Sequence, residues 1–288
     1  VYLDITPFNI PLAEGVEAAV KYMSANFSHI FDSIASSIFF VFNLIELLFQ
    51  TPPSLIIILI FALLAWRLSG WRFAVFTVAA LWLLDGLELW EHAMTTLSLV
   101  LSAVIIAIIV GLPTGIASTR SRMLSQALRP VLDFMQTLPA FVYLIPAIIF
   151  FGLGAVPGIM ATIIFAMPPV IRLTELGIRQ VPEEVVEAAL AFGSTPNQML
   201  FRVQLPMAMP TILAGINQTI MLSLSMVVVA SMIGAGGLGD DVLRAITQLE
   251  VGLGFEGGIG VVILAIILDR LTRDIVRGKA TNRNGSTT

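Results

Sequence analysis

The chain has 288 residues, 57% hydrophobic and 12% charged, against about a quarter charged in a soluble domain. That balance excludes a large water-soluble core and points to a polytopic membrane protein. The net charge of −4 makes no case for a nucleic-acid partner, and the absence of cysteine excludes disulfides and thiol chemistry.

No cleavable signal is evident at the start. The chain opens on Val1, which allows for a missing N-terminal piece. Residues 1–21 are mildly acidic and hold Pro7 and Pro11. Residues 27–49 are rich in Phe and Ile but carry Asp32, Asn43 and Glu46. Those polar residues favour an amphipathic helix lying on the membrane surface; a span is the second reading. Thr51-Pro52-Pro53 ends it. Residues 55–66 and 73–84 are apolar and short, and read as spans one and two with Arg67 and Arg72 at a shared tight turn. Trp66, Trp71, Trp82 and Trp90 fall near span ends, where indoles favour the interface.

Residues 95–118 form a long third span ending near Gly111, Pro113 and Gly115. Residues 131–151 form a fourth, which Pro139 and Pro146 should kink, leaving backbone groups that need a protein or water neighbour. The fifth runs over 156–173, with Pro168 and Pro169 near its end. The sixth runs over 207–234 and closes on Gly234-Ala235-Gly236-Gly237-Leu238-Gly239. A loop or short helix over 240–257 precedes the seventh, which starts at Gly258 and runs into the basic tail from Arg270 to Arg283.

Between spans five and six lies V-P-E-E-V-V-E-A-A-L-A-F-G-S-T-P-N-Q-M-L-F-R-V-Q-L-P, residues 181–206. Pro182 suits the first position of a helix, and Glu183 and Glu184 suit its first turn. Gly193 sits where a left-handed residue would end that helix. Ser194 or Thr195 can cap a second helix starting at Pro196, which Pro206 stops or kinks. By spacing alone this is either a docking knob or a hairpin that merely links two spans.

The residues Glu187-Ala188-Ala189, Gly193, Val203, Leu205 and Pro206 resemble the cytoplasmic signature loop of permease subunits in bacterial ABC importers. Val203 stands where isoleucine is more usual. The resemblance implies a coupling helix seated in a groove of an ATPase subunit, with Glu183, Glu184, Glu187, Ala188, Ala189, Phe192, Gly193, Leu205 and Pro206 as coupling residues. Charge agrees with that side of the membrane. With seven spans and the C-terminus inside, all of the 15 basic residues except Lys21 and Arg244 fall on the inner side.

The chain has no phosphate-binding G-x-x-x-x-G-K-[ST] loop and no acid pair mid-span for a proton relay. His29 and His92 stand apart from other metal-ligating residues, and no metal site is expected. Glu175, beside Arg172 and Arg179, reads as a solvated interfacial charge. Polar groups at membrane depth are Gln136, Thr137 and Tyr143, with Pro139, on one span, and Asn217, Ser223 and Ser225 on another. They are candidates for a translocation path, or for interhelical hydrogen bonds worth about 1 kcal/mol each. Met221, Met226 and Met232 read as adaptable packing, with Met226 also a candidate for the path. Gly234, Gly236, Gly237 and Gly239 read as a tight turn or close packing; the alternative is an outer gate or hinge.

The stretches L-R-P-V-L-D-F-M-Q-T-L-P-A-F-V-Y-L-I-P and N-Q-T-I-M-L-S-L-S-M-V-V-V-A-S-M-I-G-A-G-G-L-G are similar to permeases of glycine betaine/proline betaine importers. The likeness covers roughly residues 91–274. It implies an all-α membrane subunit of type I importer architecture, with about seven spans, an N-terminal amphipathic helix and the coupling helix. It also implies a homodimeric permease in the prokaryotic inner membrane, an ABC ATPase dimer that binds ATP and Mg, and a separate substrate-binding protein. The chain itself would bind no cofactor and catalyse nothing. An aromatic cage for a quaternary ammonium does not stand out in the sequence, which suits recognition by another subunit. The expected division is an N-terminal segment 1–50, two short spans 51–90, a core permease domain 91–277 with its coupling loop 176–206, and a polar tail 278–288. An ion-coupled secondary transporter and a membrane anchor for an enzyme complex remain the alternatives from other classes. A secondary transporter would show intramembrane ionisable residues or inverted repeats, and neither is clear.

Overall fold

The computed structural model describes the backbone of residues 12–284 and the side chains of residues 13–273. The expectations for Pro7 and Pro11, and for the side chains of the tail 278–288, lie outside the described residues. Among those described, the secondary structure is helical, without a strand. The helices are α1 (Leu12–Asn26), α2 (Ser28–Gln50), α3 (Ser54–Ser69), α4 (Trp71–Gly86), α5 (Trp90–Arg120), α6 (Arg122–Thr137), α7 (Ala140–Phe151) and α8 (Ala155–Ala166). They continue with α9 (Pro168–Arg179), α10 (Glu183–Ala191), α11 (Pro196–Gln198), α12 (Leu205–Ser225), α13 (Val227–Ser231), α14 (Leu238–Gln248) and α15 (Val251–Asn284), with a π turn at Met199–Gln204 between α11 and α12.

Five segments are long and apolar enough to cross a bilayer: Ser28–Gln50, Trp90–Arg120, Ala155–Arg179, Pro196–Ser225 and Val251–Arg273. The α6–α7 pair makes a sixth if a bent pair is one span. Helices α3 and α4 have 16 residues each, about 24 Å at 1.5 Å per residue. They fold back on each other through Gly70, whose φ of 93° suits a residue without Cβ.

Several boundaries differ from the sequence reading. Residues 131–151 are not one continuous helix: the chain bends by 100° at Leu138-Pro139 between α6 and α7. Pro139 accounts for the break, because proline disfavours helical φ, ψ in the residue before it. Leu138 accordingly stands at φ −67°, ψ 131°. Residues 28–50 form a continuous helix long enough to span, the second of the two readings given them. Its Ile38 and Phe42 are buried in a cluster with Leu99, Ala103, Ile159 and Ile163, while the rest of its surface is largely exposed. The sixth span begins earlier, since Pro206 does not stop the second knob helix. Pro206 lies in the first turn of α12, where a missing N–H costs nothing, and the helix runs on. That span breaks at Met226 rather than continuing to Gly234. The last helix starts at Val251, not Gly258, after the left-handed Leu249.

Small residues set the packing of the bundle. Helix α9 is held between α5 and α12. A Cβ on Gly115 would meet Thr174 Cβ at 2.7 Å and the Ile171 carbonyl at 2.8 Å. One on Gly215 would meet the Pro169 carbonyl at 2.9 Å, and one on Gly177 would meet Thr211 Cβ at 2.9 Å. Backbones come this close in membrane bundles because lipid offers no hydrophobic drive between helices, so dispersion at short range must hold them. A second core joins α3, α4, α5, α14 and α15 through Ile57, Leu84, Met94, Leu97, Leu238 and Leu264.

Candidate coupling site and translocation path

Helix α10 stands off the bundle with no buried residue. Pro182 precedes it as the capping residue at φ −54°, ψ 135°, one position before the expected place. Glu183 and Glu184 follow in the first turn. At its end Gly193 takes φ 77°. The Gly193 N–H donates to the Leu190 carbonyl at 2.9 Å, and the Ser194 N–H to the Ala189 carbonyl at 3.1 Å. These two bonds are the Schellman pair, which a left-handed residue closes. Glu187, Ala188, Leu190 and Phe192 face outward, and Phe192 is 92% exposed.

The second arm is capped by Thr195. Its hydroxyl accepts from the Gln198 N–H, and Gln198 Oε1 accepts from the Thr195 N–H at 2.9 Å. T-P-N-Q thus forms a capping box, a signal present in the sequence but not used in its reading. The chain then passes through the π turn into α12, so the knob is continuous with a helix that crosses the bundle. Leu205 and Pro206 lie at that junction, partly buried.

A pedestal of polar contacts supports the knob. Arg120, at the end of α5, donates to Asn197 Oδ1 at 3.0 Å. Arg179 donates to the Ser118 carbonyl at 3.1 Å and to Glu175 Oε1 at 2.8 Å. Ser125 donates to the same Glu175 oxygen at 2.7 Å. Glu175 is therefore not a solvated charge; its side chain is 14% exposed and doubly bonded. Arg172 pairs with Asp133 instead. Apart from the Glu175–Arg179 pair, one helical turn apart, these contacts join residues 50 to 77 apart, which is why the sequence reading missed them.

The polar residues at membrane depth separate into groups. Tyr143 is 8% exposed and donates to the Met135 and Phe134 carbonyls, at 2.7 and 3.2 Å. The Met135 carbonyl is left without a helical donor because Pro139, four residues on, has no N–H, and the tyrosine supplies one across the bend; the Phe134 carbonyl also accepts from the Leu138 N–H at 3.1 Å. Thr137 is exposed and bonds the Asp133 carbonyl of its own helix. Pro139 is exposed and Gln136 half-buried. Asn217 faces α15: its Nδ2 donates to Asp269 Oδ1 at 2.8 Å, and its Oδ1 accepts from Thr272 at 3.0 Å. Asp269 also accepts from Arg273 Nε at 2.9 Å. Ser223 and Met226 are each 1% exposed, and the Ser223 hydroxyl has no partner among the described residues. Ser225 is exposed.

The glycine run is a tight, closely packed turn. Gly234, Gly236 and Gly237 have φ near +80°. A Cβ on Gly237 would lie 2.4 Å from Thr96 Oγ1, and one on Gly239 would lie 2.5 Å from the Val227 carbonyl. The Leu238 N–H donates to Thr96 Oγ1 at 2.8 Å, which ties the start of α14 to α5.

Comparison with known proteins gives a consistent picture. The family described as "Binding-protein-dependent transport system inner membrane component" matches residues 103–279. The glycine betaine/proline betaine transport system permease protein ProW of Escherichia coli is 48% identical over 283 residues, 97% of this chain and 80% of that protein. The glycine betaine transport system permease protein OpuAB of Bacillus subtilis is 50% identical over 275 residues, 96% of this chain and 98% of that protein. The glycine betaine/carnitine transport permease protein GbuB of Listeria monocytogenes is 50% identical over 268 residues, 92% and 95% of the two chains. Among solved structures, the MetNI methionine ABC transporter in an inward-facing form shares the fold. Its TM-score is 0.59 at 22% identity, over 66% of this chain and 95% of that one. A helical bundle of this fold, with an exposed helical knob and relatives of this identity over nearly its full length, belongs to the family of binding-protein-dependent transport system inner membrane components.

Proposed function

We propose that the chain is the translocating subunit of an ATP-driven importer for glycine betaine or a close quaternary-ammonium osmolyte such as proline betaine. The observation that carries the substrate is the 48–50% identity to glycine betaine permeases over more than nine-tenths of the chain. Two copies form the path, and an ATPase dimer takes one α10 knob in each groove. A separate binding protein delivers the substrate to the opposite face. ATP and Mg belong to the ATPase, whose closure shifts the permease between states through differential contact with the knob. The knob and the C-terminus face the cytoplasm, as the distribution of basic residues favours. The named relative GbuB adds carnitine as a second candidate substrate; choline or an amino acid would be a more distant one.

The test is reconstitution of the permease with its ATPase and binding protein in vesicles, followed by uptake of labelled glycine betaine with and without ATP. ATP-dependent accumulation, competed by proline betaine, is expected. Uptake driven by an ion gradient without ATP would overturn the coupling, and ATP-driven uptake of carnitine alone would overturn the substrate.

A further inference from the structure

Helix α12 is the central helix of the bundle, packed against α9 on one side and joined to α15 by Asn217 on another. Even so, one face of it is bare. Met207, Pro210, Ala214, Gln218, Met221 and Ser225 are all exposed. At 3.6 residues per turn they occupy about 80° of the helix circumference. Buried Ala208, Ile212, Gly215, Thr219 and Ser223 mark the opposite side. The Ser225 hydroxyl is satisfied by the Met221 carbonyl at 3.0 Å. Gln218 has no hydrogen-bond partner among the described residues, although it lies mid-helix in a segment apolar enough to span a bilayer.

A primary amide carries two donors and a carbonyl acceptor. Left unpaired in hydrocarbon, such a group costs several kcal/mol. This face therefore does not meet lipid at Gln218; water or a second copy of the chain covers it. We infer that the exposed stripe of α12, centred on Gln218, Met221 and Ser225, lines the aqueous path through the membrane. Gln218 is its substrate-contacting polar group, which rests on the osmolyte reading above. A methylated ammonium carboxylate needs a donor for its carboxylate and a soft apolar surface for its methyl groups. The Gln218 amide supplies the first and the flexible Met221 thioether the second. One amide and one thioether make a weak site, and a path must release what it admits. Asn217, its neighbour in sequence, has both ends of its amide engaged with α15 and takes no part.

The chain contains no cysteine, so single replacements report without background. Gln218→Cys, Ser225→Cys, Thr219→Cys (buried) and Leu59→Cys (exposed on α3) are placed one at a time in the complete transporter in vesicles. The reagent is the membrane-impermeant trimethylammonioethyl methanethiosulfonate, applied with and without ATP. Gln218→Cys and Ser225→Cys are expected to react at least tenfold faster than the two controls in one of the two states. Modification of Ser225→Cys should block ATP-driven uptake, and glycine betaine should slow the labelling of that position severalfold. Reaction of Gln218→Cys and Ser225→Cys as slow as that of Leu59→Cys in both states overturns the inference. So does oxidation to a disulfide between two copies without aqueous labelling, which would make the stripe a subunit contact. If the wild type carries no betaine but both positions label and modification stops uptake of another solute, the path stands and the substrate assignment falls. If the wild type carries betaine and neither labels, the path falls alone.

Discussion

The His92 ring nitrogen Nδ1 lies 2.6 Å from Asp241 Oδ2, which joins the first turn of α5 to the first turn of α14 across 149 residues of sequence. The Asp241 side chain is 3% exposed and that of His92 is 41% exposed. Beside them Thr96 accepts the Leu238 N–H. Helix α14 is thus tied to α5 twice at one end. At its other end the left-handed Leu249 is 85% exposed, as is Val251.

Removing the imidazole leaves a buried carboxylate without that partner, a change that costs about 1–3 kcal/mol where the group is hydrogen-bonded and desolvated. His92→Leu is expected to lower the melting temperature of the purified permease and to speed proteolytic cleavage at 249–251. Asp241→Asn, which keeps a hydrogen-bonding oxygen, should do less of both. Equal effects of the two substitutions would mean that the pair is not what holds α14.

Gly193→Val is expected to uncouple the transporter. Nothing lies within 4 Å of a Cβ built there, so the effect is conformational: a β-branched residue resists φ 77°. The Schellman bonds would open and Phe192 would be presented at another angle. Gly193→Asn should retain more function, since asparagine visits the left-handed region at lower cost. The measurement pairs ATPase retained on the purified permease with ATP-driven uptake. Insertion should be normal in both variants, and wild-type values for Gly193→Val would remove α10 from the coupling role.

Much of this knob was legible in the sequence because its signals are local. Glycine at a helix end and acids in a first turn act over fewer than ten residues. The pedestal was only partly legible: Glu175 and Arg179 are one helical turn apart, but Arg120, Ser125 and Asn197 join them only through the fold. The α6–α7 bend was half legible: proline announced a kink, but neither the 100° angle nor the Tyr143 bond to the Met135 carbonyl, which Pro139 leaves without an N–H donor, is a local signal. The sequence reading named Asn217 as a candidate for the path and passed over Gln218. One residue is 100° of helix rotation, enough to send Asn217 to α15 and Gln218 to open space.

Gly115→Val should disturb assembly of the bundle. Its Cβ would lie 2.7 Å from Thr174 Cβ and 2.8 Å from the Ile171 carbonyl, so backbone must move. Overpacking of this kind costs about 1–3 kcal/mol or more. Gly86→Ala meets nothing within 4 Å and should change stability by less than about 0.5 kcal/mol. Thermal unfolding in detergent gives both values, and similar melting temperatures for the two would show that α5 and α9 are not in close backbone contact.

Asn217→Leu should act through stability, not through transport chemistry. The substitution removes the Nδ2 bond to Asp269 and the oxygen that accepts from Thr272. Asp269, 22% exposed, would keep only the bond from Arg273, which is itself 63% exposed. Interhelical hydrogen bonds in membranes are worth about 0.6 kcal/mol on average and up to about 1.7. Two of them place the loss at about 1–3 kcal/mol once the desolvation of Asp269 is included. The double variant Asn217→Leu with Asp269→Leu removes both partners, and replacing a pair by apolar groups is close to neutral. A double-mutant cycle by thermal unfolding should therefore show coupling, with the double variant more stable than Asn217→Leu alone. Per molecule of folded protein, uptake by the double variant should stay within about twofold of wild type. Additive losses would show that the two residues do not meet. A large fall in uptake with stability unchanged would return Asn217 to the translocation path.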